Sequence, residues 1–238
     1  MPKLFCFSDC HGFADELKQA LDEAGFDPNN KEHYVIGLGD YIDRGRQPQE
    51  VIDYLMSLER KVLIKGNHTD LLLDCVQRGY PYNYDWSNGT AQTIIDLVPE
   101  AQSFDEACSM IYPKVKYFMY SMVDYFETEN YIFTHSFIPL NLDDASFDPN
   151  WRNASYEAWD SAKWGNPYLL ADQGLLPDKT LCFGHWHTSW ARHHFDDKPE
   201  WGDQADFSIY YGDGYIGLDA CTAYSGKVNV LVLEDNFL

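Results

Sequence analysis

The chain has 238 residues, 45% of them hydrophobic, and carries 38 acidic against 17 basic side chains for a formal charge of −21. That hydrophobic share supports a sizeable core and excludes a disordered chain, while the charge repels long polyanions and excludes polymeric DNA or RNA as a partner. Six scattered cysteines form no Cys-x-x-Cys pair, which excludes a zinc knuckle or small disulfide scaffold and leaves buried, reduced thiols.

In chain order, residues 4–7 read as a first buried strand, followed by Asp9-Cys10-His11-Gly12 and an amphipathic helix over 14–24. A second strand over 34–38 delivers Gly39-Asp40-Tyr41-Ile42-Asp43-Arg44-Gly45 and leads into a helix over 48–58. A third, over 61–64, ends at Gly66-Asn67-His68, and helices are expected over 70–78 and 104–124. Strands over 131–134 and 180–183 end at His135 and at Gly184-His185-Trp186-His187. The polar, Asp-rich and aromatic stretch between His187 and Tyr215 reads as a surface excursion. Beyond it, turn residues Asp213-Gly214 and Ser225-Gly226 separate runs over 215–218 and 227–233, which predicts antiparallel strands at the end. The alternation of strands and helices gives an α/β fold with mixed sheets, and one domain over 1–238 is the simplest organisation. No run approaches the roughly 18 apolar residues of a membrane helix, and Met1-Pro2-Lys3 leads straight into a strand, so a cytoplasmic protein with no membrane partner is expected.

Each strand end delivers a candidate ligand, and in open α/β folds such ends converge on one crevice. Five of the eight histidines fall at these positions: His11, His68, His135, His185 and His187. Carboxylate and amide oxygens combined with imidazoles suit two hard-to-borderline cations, which one carboxylate can bridge. Such a pair clamps a phosphoryl group and acidifies a shared water.

The five motifs, in this order from Asp9 to His187, resemble those of the calcineurin-like metallophosphoesterases, in particular the branch of phosphoprotein phosphatases and diadenosine tetraphosphatases. The resemblance implies a four-layer α/β/β/α sandwich of two mixed sheets flanked by helices. It implies that Asp9, His11 and His187 hold one metal, that Asn67, His135 and His185 hold the other, and that Asp40 bridges them. It implies a catalytic His68 as proton donor oriented by Asp43, with Arg44 gripping phosphate oxygens and a bridging hydroxide attacking in line. Two divalent or mixed-valence ions are expected, manganese first, with iron or zinc also fitting the donors. Two departures stand out. The third motif continues with Thr69 before Asp70 where the family places an acid directly, and no second arginine aligns after His135, leaving Arg152 and Lys163 as basic candidates.

The leading functional expectation is hydrolysis of phosphomonoesters, of the kind a Ser/Thr protein phosphatase performs, so the partner is a phosphoprotein, small phosphate ester or nucleotide. The alternatives are hydrolysis of dinucleoside polyphosphates and a non-enzymatic interaction module of the same fold. Cys10, between two ligands, reads as a passive wall residue, and His193 and His194 as solvent-exposed.

Overall fold

The first strand decides the layering. In β1 (Lys3–Phe7), Phe5 and Phe7 share one face and Leu4 and Cys6 the other, and all four are fully buried. A strand buried on both faces needs a layer on each side. The computed structural model, which describes residues 1–238, supplies helices on one side and a second sheet on the other.

The first sheet has the order β10-β1-β2-β3-β4, where β2 is His33–Gly37, β3 Lys61–Ile64, β4 Met122–Val123 and β10 Val230–Glu234. β1 to β4 run parallel, and β10 closes the edge antiparallel to β1. The second sheet has the order β5-β6-β7-β9-β8, made of β5 (Phe126–Glu127), β6 (Tyr131–Phe133), β7 (Thr180–Phe183), β8 (Tyr210–Gly212) and β9 (Tyr215–Gly217). Its centre, β6, β7 and β9, is parallel, with antiparallel strands at both edges.

Leu4, Cys6, Ile36, Leu38, Ile64, Phe133, Cys182 and Leu218 form the core between the sheets. On the outer face of the first sheet pack α1 (Ala14–Glu23), α2 (Pro48–Ser57), α3 (Asn67–Arg78), α5 (Thr90–Leu97) and α6 (Phe104–Tyr120). The short α4 (Asn83–Asn88) precedes α5. Against the outer face of the second sheet lie α7 (Tyr156–Ala162), α8 (Pro167–Asp172) and α9 (Thr188–Asp196). The result is the expected four-layer α/β/β/α sandwich with mixed sheets. No helix is long and apolar enough to cross a membrane.

Two local expectations are corrected. The stretch after His187 opens with α9, whose Ala191 is fully buried, and ends in β8, so the surface excursion is confined to residues 197–209. The helix expected over 104–124 stops at Tyr120, because Met122 and Val123 pair with Leu63 and Ile64 as β4. The antiparallel strands expected at the end are present, in two different sheets. Asp213-Gly214 turns β8 into β9 in the second sheet, whereas β10 crosses back to β1 in the first, after the single-turn α10 (Thr222–Ser225).

Candidate metal centre

The loops after β1, β2, β7 and β9 reach the same place through backbone that L-residues rarely adopt. Asp9, His11, Asp40, Asp43, Arg44, His185 and Cys221 all have positive φ, between 43° and 73°. Seven left-handed non-glycine residues in one neighbourhood are a strain that surrounding packing must hold, at about 1 kcal/mol or more each. The packing leaves no slack: a Cβ on Gly184 would collide with Ser8 and Asp9, and one on Gly39 with His135. Tyr41, fully buried, fixes the second loop by its hydroxyl, which takes the Gly39 and Ile64 N–H groups (3.2 and 3.0 Å) and lies 2.8 Å from the Gly37 carbonyl.

Asp40 is the hub. Its Oδ1 accepts the His68 N–H at 3.1 Å, and its Oδ2 lies 3.4 Å from His135 Nε2, 3.7 Å from His68 Nε2 and 3.8 Å from His11 Nε2. His11 and His135 donate their Nδ1–H groups to the carbonyls of Ile42 (2.9 Å) and Leu38 (2.7 Å), which turns both Nε2 atoms toward the carboxylate. This is how metal-ligating imidazoles are oriented. His135 Nε2 also lies 2.9 Å from Asn67 Oδ1, so acceptor oxygens of Asn67 and Asp40 face a nitrogen that must carry a proton or share a cation with them. His185 completes this group with Asp40 and His135, and its N–H donates to Asp9 Oδ2 at 2.9 Å. Asp9 Oδ1 faces His11 Nε2 at 3.8 Å.

The electrostatics call for positive charge. Burial opposes ionisation of Asp40, yet His135, His68 and His11 hold its carboxyl well below the usual range. Burial likewise lowers His135, but Asp40 and then Asp9 overcome it and lift the imidazole to about 9. Asp9 and Asp219 are pushed up by burial and by neighbouring carboxylates. Burial, reinforced by His135, drops His185 to about 3. Three buried carboxylates, Asp9, Asp40 and Asp219, therefore share a pocket whose arginine, Arg44, is exposed at its mouth. Oxygen and imidazole donors gathered around one shared carboxylate fit a pair of divalent ions.

Beside the hub, His68 donates Nδ1–H to Asp43 Oδ2 at 2.7 Å, which leaves Nε2 facing the site. Asp43 is in turn held by the Thr90 hydroxyl and donates its N–H to Thr93 Oγ1 at 3.0 Å, while its Oδ1 is buried without a partner. Arg44 donates to His11 Nε2 at 2.9 Å and approaches His68 Nε2 at 3.4 Å. His187 is in neither ligand group. Its Nδ1 accepts the Trp190 N–H at 3.1 Å as the cap of α9, and its Nε2 lies 3.5 Å from Glu200 Oε1.

The two basic candidates are both engaged. Arg152 forms a two-point ion pair with Glu127 (2.8 and 2.7 Å). Lys163, buried, pairs with Asp70 and with Asp160 at 3.1 Å. The shifted acid of the third motif thus ties α3 to the end of α7, and Thr69 packs against Met122. Cys10 is fully buried and its thiol is pushed up by burial and then by Asp9, as a passive wall residue would be. His193 and His194 are exposed in the last turn of α9. Sequence reasoning missed Thr90, Thr93 and Asp219. The last could have been found by the rule that found Asp9 and Asp40, since it follows a strand end, that of β9.

Comparison with known proteins bears on the family and the fold. The chain is 24% identical over 272 aligned positions, 97% of its own length and 94% of the relative's, to a symmetrical bis(5'-nucleosyl)-tetraphosphatase of Erwinia tasmaniensis. Over a shorter stretch of 80 residues it is 36% identical to the enzyme of that description from Buchnera aphidicola, a match that spans 33% of this chain and only 28% of that relative. In fold it is similar to a cold-active protein tyrosine phosphatase, with a TM-score of 0.59 and 16% identity over 98% of this chain and 74% of the other. The model of the calcineurin-like phosphoesterases matches residues 2–199, which takes in every strand-end motif from Asp9 to His187. The chain therefore belongs to the calcineurin-like phosphoesterase family and is a hydrolytic enzyme.

Proposed function

We propose that the chain hydrolyses phosphomonoesters, phosphoserine or phosphothreonine among them, at two cations that share Asp40. The observation that carries the reading is the convergence of the His11, His68 and His135 Nε2 atoms within 3.8 Å of a single Asp40 oxygen. Asp9, His11 and His187 would hold one ion, and Asn67, His135 and His185 the other. Ligation by His187 requires its Nε2 to leave Glu200 and its Nδ1–H to donate to Ser189 Oγ, now 2.9 Å away, in place of capping α9. Two divalent ions, manganese or an iron–zinc pair, would supply Lewis-acid charge and acidify a water toward neutral pH.

The remaining steps belong to the chain's own groups. Arg44, exposed at the mouth, clamps phosphoryl oxygens and neutralises the charge that grows on them. His68 delivers a proton to the departing oxygen. Burial lowers its affinity for that proton, but Asp40 and Asp43 more than restore it, so the imidazole holds its proton more tightly than a free histidine does. Asp43 keeps the Nδ1–H fixed, so the proton leaves from Nε2.

The test is turnover of an aryl phosphate with Mn²⁺ by the full chain and by Asp40→Asn. The variant should lose roughly 10⁴-fold in rate together with bound metal; ordinary activity in it would sink the reading. A second reading, cleavage of dinucleoside polyphosphates, is favoured by the likeness along 97% of the chain to an enzyme described by that activity. Diadenosine tetraphosphate in the same assay, with product analysis, separates the two. A non-enzymatic module is set aside, because all seven ligand positions and His68 carry side chains able to bind metal or move a proton.

A further inference from the structure

Helices α4 and α5 meet at a single residue, Gly89, which ends one and begins the other with a left-handed φ of 89°. We infer that Gly89 is a positioning residue for Arg44: the elbow it forms backs the Asp43–Arg44 turn and sets where the guanidinium meets a phosphoryl group. This rests on the phosphoesterase reading above and brings into the site two helices that no strand-end motif includes.

The contact is between backbones. A Cβ on Gly89 would collide with the Arg44 nitrogen and stand 2.9 Å from Arg44 Cα and 3.3 Å from the Asp43 carbonyl carbon. The elbow therefore lies flat against the peptide that joins Asp43 to Arg44, and glycine is required there both for its φ and for its lack of a side chain. Asp43 and Arg44 are left-handed in turn, at 73° and 63°, a conformation that persists only where neighbours hold it.

The neighbours that hold it are the elbow and the first loop. From α5, Thr90 gives its hydroxyl to the Asp43 carboxylate and Thr93 Oγ1 accepts the Asp43 N–H at 3.0 Å. From the opposite side, the His11 carbonyl accepts the Gly45 N–H at 2.8 Å. The Arg44 backbone is thus clamped while its side chain is free at the mouth, 2.9 Å from His11 Nε2 and 3.4 Å from His68 Nε2. Any shift of the elbow is passed to the guanidinium.

The elbow has a firm seat. Asp85 of α4, 1% exposed, accepts from Arg78 and from the Tyr82 N–H, each at 2.6 Å. Arg78 closes α3, the helix that opens with Asn67 and His68. The proton donor and the phosphate clamp are therefore referred to one helical bracket, α3 to α5, which fixes their spacing at a scale where small displacements cost rate.

The experiment measures inorganic phosphate binding by calorimetry, and KM and kcat for an aryl phosphate, in the Mn²⁺-loaded full chain and its variants, with a melting curve for each. Gly89→Ala should bind phosphate about ten-fold more weakly and raise KM by a similar factor. On top of Arg44→Ala it should add less than about two-fold, because the two changes act on one contact. Gly25→Ala is the control for strain: Gly25 is also left-handed, at 84°, with open space around it, and its variant should bind phosphate as the parent does. Should Gly89→Ala fail to fold, Thr93→Val, which removes the Asp43 acceptor without a collision, should show the same pattern at about three-fold, and Thr93→Ser should restore affinity. Parent-level phosphate binding in a folded Gly89→Ala, or in Thr93→Val where that variant stands in, would overturn the assignment. So would an equal loss in Gly25→Ala, or a full further loss on top of Arg44→Ala. Phosphate binding that depends on Gly89 and Arg44 in a protein that hydrolyses no ester would keep the positioning role and defeat the phosphoesterase reading instead.

Discussion

The rim of the metal centre is assembled from two unlike halves. The loops after β1 and β2, in the first sheet, contribute three carboxylates and one imidazole from left-handed backbone, with φ of 53° at Asp9, 43° at His11, 51° at Asp40 and 73° at Asp43. The loops after β6 and β7, in the second, contribute imidazoles. His135 keeps ordinary backbone and is aimed by one hydrogen bond to Leu38, so that His185, at 67°, is the strained ligand candidate there, joined by Cys221, at 50°, after β9. The difference follows the packing. The strained half stands on a core cluster of 26 buried residues, the relaxed half on one of 12. Distorted backbone is kept where more side chains hold it in place.

Four changes would break or sharpen this contrast. The largest effect is expected from His68→Asn, whose side chain is held by the strained Asp43. Its kcat should fall roughly 10³-fold with bound manganese, measured by elemental mass spectrometry, unchanged; loss of metal would move His68 from proton donor to ligand. Next is Lys163→Met, which removes the tie between the halves and leaves Asp70 without its lysine. Urea unfolding should show a loss of about 3 kcal/mol, and the double change with Asp70→Leu should recover most of it. If the double variant stays as weak as the single, the tie lies elsewhere. Thr90→Val, which frees Asp43 from its hydroxyl, should cost about ten-fold in kcat, and Thr90→Ser should not.

The smallest effect is one of pH and belongs to the second sheet. The Arg152 hydrogen bonds, against the opposition of burial and with help from Lys179, hold Glu127 down at about 2. Its folded pKa lies below the value near 4.3 of an unfolded glutamate, so its contribution is complete above that value and is lost as pH falls toward about 2. Glu127→Gln should therefore lower Tm by about 4 °C at pH 7, and the gap to the parent should close between pH 4.5 and 2. A gap that persists at pH 2 would show that the pair stabilises through packing.

The strands and their ligand-bearing ends were legible because burial on both faces writes continuous apolar runs, and because each run stops at a motif with few structural uses. His11, Asp40, His135 and His185 were readable for that reason. Helix α9 was not, since its cap is His187 and not the Ser, Thr, Asp or Asn that marks a helix start. β4 was hidden inside a helical pattern that ends only two residues before it, and it is a strand by virtue of its neighbour β3 alone. Thr90 and Thr93 carry no signal in the sequence, because only the fold brings them to Asp43, 47 and 50 residues back in the chain. Arg152 and Lys163 show the limit most plainly. A basic residue's sequence position does not disclose whether a distant carboxylate already claims it, and here Glu127 and Asp70 do.

The left-handed residues also set the direction in which this chain would drift if selection on its chemistry ended. At such positions glycine and asparagine sit more easily than histidine, arginine or cysteine. Substitutions at His11, Arg44 and His185 that abolish function would therefore relieve strain as they accumulate. Stability and catalysis pull against each other at the same side chains. A descendant that had abandoned hydrolysis would carry the record of it as glycines and asparagines around an otherwise intact sandwich.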